Sequence, residues 1–230
     1  MGIDICGIYA LSPFLKNKFK HVLTIGRQQI HLNNIELNNI LSTFNLSHVQ
    51  LNYNDYCEEL FTFFGSEIVD SIDVSKYENC SIIHDLNYPI NINKKYNFIY
   101  DGGCSEHIFN CPQAYQNFIN LLDINGIFLG IVPNNNFSGH GFYQFSPEFF
   151  IQVFSDKYGM KLIDLYLAKI NTPSNEWMKL DGIIHFRNET KFNDNEQVYI
   201  IVIAKKLKNG KNLIENPPQQ HNYENIDWKV

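Results

Sequence analysis

Apolar and polar residues come in blocks along the 230-residue chain, and the period of the pattern changes from block to block. Short runs rich in branched and aromatic residues predict strands: "HVLTIG" at 21–26, "EIVDSIDVS" at 67–75, "CSIIHDLN" at 80–87 and "NFIYDGG" at 97–103. Three more follow, "IFLGIVPNNN" at 127–136, "MKLIDLYLAK" at 160–169 and "EQVYIIVIAKK" at 196–206. Between them the spacing turns helical. Ile35, Leu37, Ile40 and Leu41 mark one apolar face over 33–45, and residues 55–64 fit a short helix. Ala114, Phe118, Leu121 and Leu122 mark another over 111–126, closed by Gly126, and Ser146 with Pro147 opens a helix through "SPEFFIQVFSDKYG". Strands alternating with helices predict a doubly wound α/β domain, its sheet mostly parallel with helices on both faces and an antiparallel pair at the end.

The pattern predicts one domain over 1–210 and a polar tail over 211–230, loosely held from 216 on. Residues 170–195 interrupt the last strand pair, either as a flap near a site or as a plain surface connection.

Composition narrows the classes. Hydrophobic residues make up 44% and charged residues 18%, which is the soluble globular range, and the net charge of -6 with scattered Lys and Arg argues against nucleic acid as a partner. Five cysteines, Cys6, Cys57, Cys80, Cys104 and Cys111, contain no Cys-x-x-Cys pair, so neither a disulfide framework nor a structural zinc site is expected. No run approaches the ~20 apolar residues of a membrane helix, and the first residues lack the pattern of a secretory leader. The expected compartment is the cytoplasm.

One stretch asks for chemistry. In "YNFIYDGGCSEHIFN", 96–110, an apolar strand ends in Asp101, passes through Gly102 and Gly103, and reaches Glu106 and His107. Ligands of open α/β sheets bind at the carboxyl ends of strands, where glycines admit close backbone approach. A second polar segment, "NNNFSGHGFYQFSP", carries His140 between Gly139 and Gly141, among Phe137, Phe142 and Phe145. Polar groups set in aromatic walls suit a small-molecule site. His84 beside Asp85 lacks a third ligand at useful spacing, so no metal is expected.

Taken in order, these segments resemble the class I methyltransferases that use S-adenosylmethionine, with a Rossmann-like sheet of about seven strands and an antiparallel last strand. The resemblance spans roughly 20–206. It implies that Gly26, Arg27 and Gln28 stand in the first loop, near the methionine part of the cofactor. It also implies that Asp73 holds the ribose (Asp70 if the register shifts by three) and that Asp85 and Leu86 frame the adenine. Asp101, Gly102 and Gly103 then lie beside the cofactor at the fourth strand end. Gly26 is followed by Arg27 and Gln28 where the family has further glycines, and Arg27 is then expected to answer the methionine carboxylate.

The reaction implied is methyl transfer from S-adenosylmethionine to a small acceptor, leaving S-adenosylhomocysteine. The expected catalytic residues are His107, His140 and Glu106; one histidine serves as base for a hydroxyl acceptor, and neither is needed for an ionised one. The resemblance extends to proteins of bacterial surface-polysaccharide (capsule) clusters, which implies a sugar, a nucleotide-linked sugar or a phosphoramidate-type acceptor. Two alternatives stand beside it, a catalytically degenerate partner protein and a nicotinamide-dependent oxidoreductase; the missing Gly-x-Gly-x-x-Gly counts against the latter. A homo-oligomer is compatible with the sequence.

Overall fold

The computed structural model describes residues 2–17, 19–180 and 195–220. Its elements run β1 (Gly2–Ile3), α1 (Ile5–Leu15), β2 (His21–Ile25), β3 (Gln29–Ile30), α2 (Asn34–Thr43), α3 (Glu58–Phe63), β4 (Ile68–Asp73), β5 (Ile82–Ile83) and β6 (Tyr96–Asp101). Then come α4 (Cys111–Leu121), β7 (Leu122–Asn135), α5 (Pro147–Val153), β8 (Met160–Lys169), β9 (Met178–Lys179) and β10 (Val198–Lys206).

The main sheet has eight strands in the order β5-β4-β2-β6-β7-β10-β8-β9. From β5 to β7 every pairing is parallel, and β10 lies antiparallel between β7 and β8. The expected doubly wound α/β domain is therefore present, with the two-residue β9 added outside β8. From β2 the chain walks outward through β4 to β5, then returns to lay β6 on the other side of β2. That reversal opens a crevice between the carboxyl ends of β2 and β6.

Strand periodicity divides the core. Leu23, Ile25, Ile99, Phe128 and Val132 face one way, against Tyr115 and Phe118 of α4 and Phe150 of α5. Val22, Phe98, Tyr100, Leu129 and Ile131 face the other, against Leu11 of α1, Leu37 and Leu41 of α2 and Leu60 of α3. Both faces are fully covered, as a parallel sheet requires.

Caps fix the helix starts. Asn33 and Glu36 form a reciprocal capping box on α2, and Ser146 caps α5 ahead of Pro147. Two expectations fail locally. Ile35 is exposed, because it sits in the first turn of α2 facing away from Leu37 and Leu41. Helix α4 stops at Leu121 and the chain enters β7 directly; the left-handed residue in the join is Asn125, at φ 68°, and not Gly126. The start of the tail is held: Leu213 is buried, its N–H donates to Gln116 Oε1, and Tyr158 Oη donates to the Asn216 carbonyl. Most of the expected 170–195 flap, and the tail from 221, lie outside the described residues. Trp177 covers core, with its indole N–H on the Thr172 carbonyl and its ring edge-on to Tyr166.

Candidate active site

Parallel strands bring their carboxyl ends to one edge, so the residues after β2, β4, β5, β6 and β7 meet there whatever their distance in sequence. Ile25 pairs with Ile72 on one side and with Asp101 on the other. Gly26 turns at φ 67°, and its N–H donates to the Ile72 carbonyl. Arg27 is committed elsewhere than expected. Its Nε donates to Glu58 Oε1 at 2.7 Å, its Nη1 to the Glu78 carbonyl at 2.8 Å, and its guanidinium lies 3.7 Å from the centre of the Tyr56 ring. A guanidinium held by α3, a loop and an aromatic face has no freedom to follow a cofactor carboxylate.

Gln28 is fully buried. It donates from Nε2 to the Ile25 carbonyl, and its Oε1 would stand 2.6 Å from any side chain added at Gly102. Gln28 and Tyr100 thus occupy the space beside Gly102.

On the other flank, Asp73 closes β4, half-buried, and accepts a long 3.3 Å bond from the Ser75 N–H. Asp70 has a structural post inside the strand, bonded to Tyr96 Oη at 2.7 Å and Lys94 Nζ at 3.0 Å, so no register shift puts it at the edge. Asp85 organises its own turn, with Oδ1 accepting from the backbone and side-chain nitrogens of Asn87. Leu86 packs into the core, and only its carbonyl takes part in polar contacts, with Asn117.

The β6 end differs. Asp101 is fully buried; Oδ1 accepts from the N–H of Cys104 at 2.9 Å and of Ser105 at 3.4 Å, while Oδ2 has no partner among the described residues. Burial pushes its carboxyl up to about 6. Gly103, at φ 85°, makes the turn that starts the 3-10 helix over Ser105–His107. Glu106 is 1% exposed and neither of its oxygens has a hydrogen-bond partner among the described residues. Burial, reinforced by Asp101, raises it to about 8.

Strand β7 runs past β6 to Asn135 and carries the next loop back over this turn. The N–H groups of Phe142 and Tyr143 both donate to the Glu106 carbonyl, at 2.8 and 3.3 Å. A side chain at Gly141 would stand 2.9 Å from that carbonyl oxygen, so the glycine serves the approach of loop to Glu106. His140 thereby arrives beside His107, with ring centres 5.0 Å apart and Nε2 atoms 3.5 and 3.8 Å from Glu106 Oε1. The three residues expected to be catalytic are brought together.

They line a cavity of about 230 Å³ with Gly102, Gly103 and Ile131. Its remaining wall went unread in the sequence: Gly2, Asp4, His31 and Tyr199. Parallel pairing of β1 with β3 places Asp4 and His31 there. Asp4 caps α1 through the Gly7 N–H at 2.8 Å, a signal legible as an Asp ahead of an apolar helical run.

No protein-family model matches the chain and no curated protein matches it. Solved structures do. A "putative methyltransferase" from Bacillus halodurans aligns at 9% identity and TM-score 0.52 over 90% of this chain and all of its own. The O-methyltransferase of a trans-AT PKS multienzyme from Brevibacillus brevis, holding S-adenosyl-L-homocysteine, aligns at 12% identity and TM-score 0.49, covering 89% of this chain and 72% of its own. The N-methyltransferase NodS from Bradyrhizobium japonicum, also with S-adenosyl-L-homocysteine, aligns at 9% identity and TM-score 0.45, covering 87% and 86%. At these identities the likeness speaks of the fold alone, and it rests on the first of the three. No helix among the described residues is long and apolar enough to cross a membrane. The chain has the methyltransferase fold.

Proposed function

We propose that the chain is a methyltransferase that takes its methyl group from S-adenosylmethionine and delivers it to an oxygen of a small acceptor. One observation carries the reading: glycines stand on both lips of the crevice where strand order reverses, Gly26 after β2 and Gly102 with Gly103 after β6, with Asp73 at the end of β4, Asp101 at the end of β6 and a polar cavity next to it. The residues fit the cofactor in part. Asp73, half-buried and weakly bonded, is available to ribose hydroxyls, and the unpartnered Asp101 Oδ2 suits the cationic end of the cofactor. The carboxylate of the methionine part needs a holder other than Arg27.

When bound, the cofactor supplies an electrophilic methyl group for in-line attack, so positioning carries much of the rate. The chain's own part is to seat the acceptor in the cavity and take its proton: His107 or His140 accepts it at Nε2, with Glu106 Oε1 beside both rings. Phe109 and Phe142, exposed and edge-to-face at 5.4 Å, flank the two histidines in the chain and offer apolar faces to a sugar-like acceptor.

The test is thermal melting. Millimolar S-adenosylmethionine and S-adenosylhomocysteine should each raise Tm, and Asp73→Ala should weaken binding by about 1.5–3 kcal/mol. A folded sample whose Tm does not move refutes the reading. It would favour the second one, a degenerate partner protein, for which the paired Arg27 and the filled space beside Gly102 already speak.

A further inference from the structure

We propose that Glu106, His107 and His140 bind one divalent ion of the zinc class, open on one side to the cavity. An ion bound there would occupy Nε2 of both histidines and exclude their service as base, so this is a different use of the same cluster from the proton transfer above, and zinc binding is measured without methyl transfer. Its first support is distance. One ligand atom from each residue lies within 4.8 Å of the other two, so a point exists within about 2.8 Å of all three. Shifts of about 0.7 Å bring that to the ~2.0–2.2 Å of zinc–nitrogen and zinc–oxygen bonds.

The pairwise spacing points the same way. His140 Nε2 is 3.5 Å and His107 Nε2 3.8 Å from Glu106 Oε1, long for hydrogen bonds. Two ligands each ~2.1 Å from a tetrahedral ion lie ~3.4 Å apart. The residues are spaced as ligands of a shared ion are.

The second support is Glu106 itself. Its side chain is 1% exposed, lines the cavity, and has no hydrogen-bond partner at either oxygen among the described residues. A buried acid without a partner is held in its neutral form, and a bound cation would compensate the anion. No lysine or arginine lines the cavity among the described residues, and the nearby Asp101 adds another acid with an unpartnered oxygen. A cation is the missing partner. Two imidazoles and one carboxylate select a first-row transition ion over magnesium or calcium, which prefer oxygen ligands. Three protein ligands also leave a position free toward the cavity, as in catalytic zinc sites.

The site escapes a reading by spacing because His140 belongs to a different loop from the Glu-His pair. The bonds from the Phe142 and Tyr143 N–H groups to the Glu106 carbonyl, and from Tyr143 Oη to the Phe109 carbonyl, bring the two segments together.

The test is calorimetric titration of the full chain, stripped with a chelator and free of cofactor, with zinc chloride and then magnesium chloride. One zinc per chain should bind with Kd below about 1 μM, and magnesium more weakly than about 1 mM. Glu106→Gln and His140→Ala should each weaken zinc by about 100-fold or more, while His48→Ala, at an exposed histidine outside the cluster, should leave it unchanged. Should Glu106→Gln fail to fold, His140→Ala decides alone, since that side chain is 49% exposed. Equal zinc affinity in wild type and His140→Ala would mean thiols or other groups hold the ion and would overturn the site. So would no binding tighter than about 0.1 mM, and a preference for magnesium would overturn the ion class. None of these results bears on the melting shift with S-adenosylmethionine.

Discussion

The turns after β2 and β6 face each other across one crevice, yet their charges are in opposite condition. After β2, Arg27 is neutralised by Glu58 and stacked on Tyr56. After β6, Asp101 and Glu106 are buried deeper and, among the described residues, have no lysine or arginine to answer them, only the two histidines beside Glu106. A paired charge is spent on holding the fold, while a buried unpaired one keeps its binding capacity for a ligand. The first turn has its charge matched within the fold; the second, on the proposed function, is where a ligand would be met.

The largest effect should come from breaking the second turn. His107→Ala or His140→Ala should lower turnover by about 10²–10⁴-fold with cofactor affinity unchanged, measured as kcat against pH on a hydroxyl acceptor. Near-wild-type rates in both variants, with an unaltered pH profile, would make the β6 turn scaffold as well.

An intermediate effect tests how the loop is held. Gly141→Val puts a side chain where the Glu106 carbonyl stands, 2.9 Å from the new Cβ, and should cost about 1–3 kcal/mol and displace His140. Gly139→Ala meets nothing within 4 Å; its only penalty is the φ of 81°, about 1 kcal/mol. Denaturant melts of the two variants give the difference, and equal losses would mean that close approach to Glu106 is irrelevant.

The smallest effect sharpens the contrast from the other side. Arg27→Met should cost about 1 kcal/mol of stability, the worth of a part-exposed ion pair with its added bonds. S-adenosylmethionine affinity should change by less than about threefold. A loss of 100-fold in that affinity would return Arg27 to the cofactor.

Much of the architecture was legible because strand and helix periods are strong in β4, β6, β8, β10 and α4, and because Ser146 and Asn33 announce their helices. What escaped was short, or buried all round. Strands β1, β3 and β9 have two residues each, too few for a period, and α1 ("ICGIYALSPFL") buries residues on every side, so it shows no polar face. With β1 and β3 went the reason that Asp4 and His31 reach the cavity. Glu106, His107 and His140 were readable as candidates from glycine spacing and a strand end. Their mutual distance was not, since it depends on how far β7 overruns β6. The Arg27 ion pair escaped for a related reason: its partner Glu58 lies on α3, and local sequence does not report a partner from another element.

Strand β10, between β7 and β8, has a consequence for the order in which the chain is made. Synthesis delivers β7 and β8 well before their shared neighbour, so the edge of β7 at Phe128, Leu129, Ile131 and Val132 stays open until residue 206 has emerged. The nascent chain can assemble β2, β4, β5 and β6 with their helices early, but it carries an apolar unpaired edge until β10 has been made. Closure also awaits Lys206, whose Nζ donates to the Ile119 and Leu122 carbonyls at the end of α4, and Leu213, which packs beyond it. Folding is therefore completed after synthesis of the strand, and the exposure of β7 to chaperones or to other nascent copies is set by the rate at which 136–206 is translated.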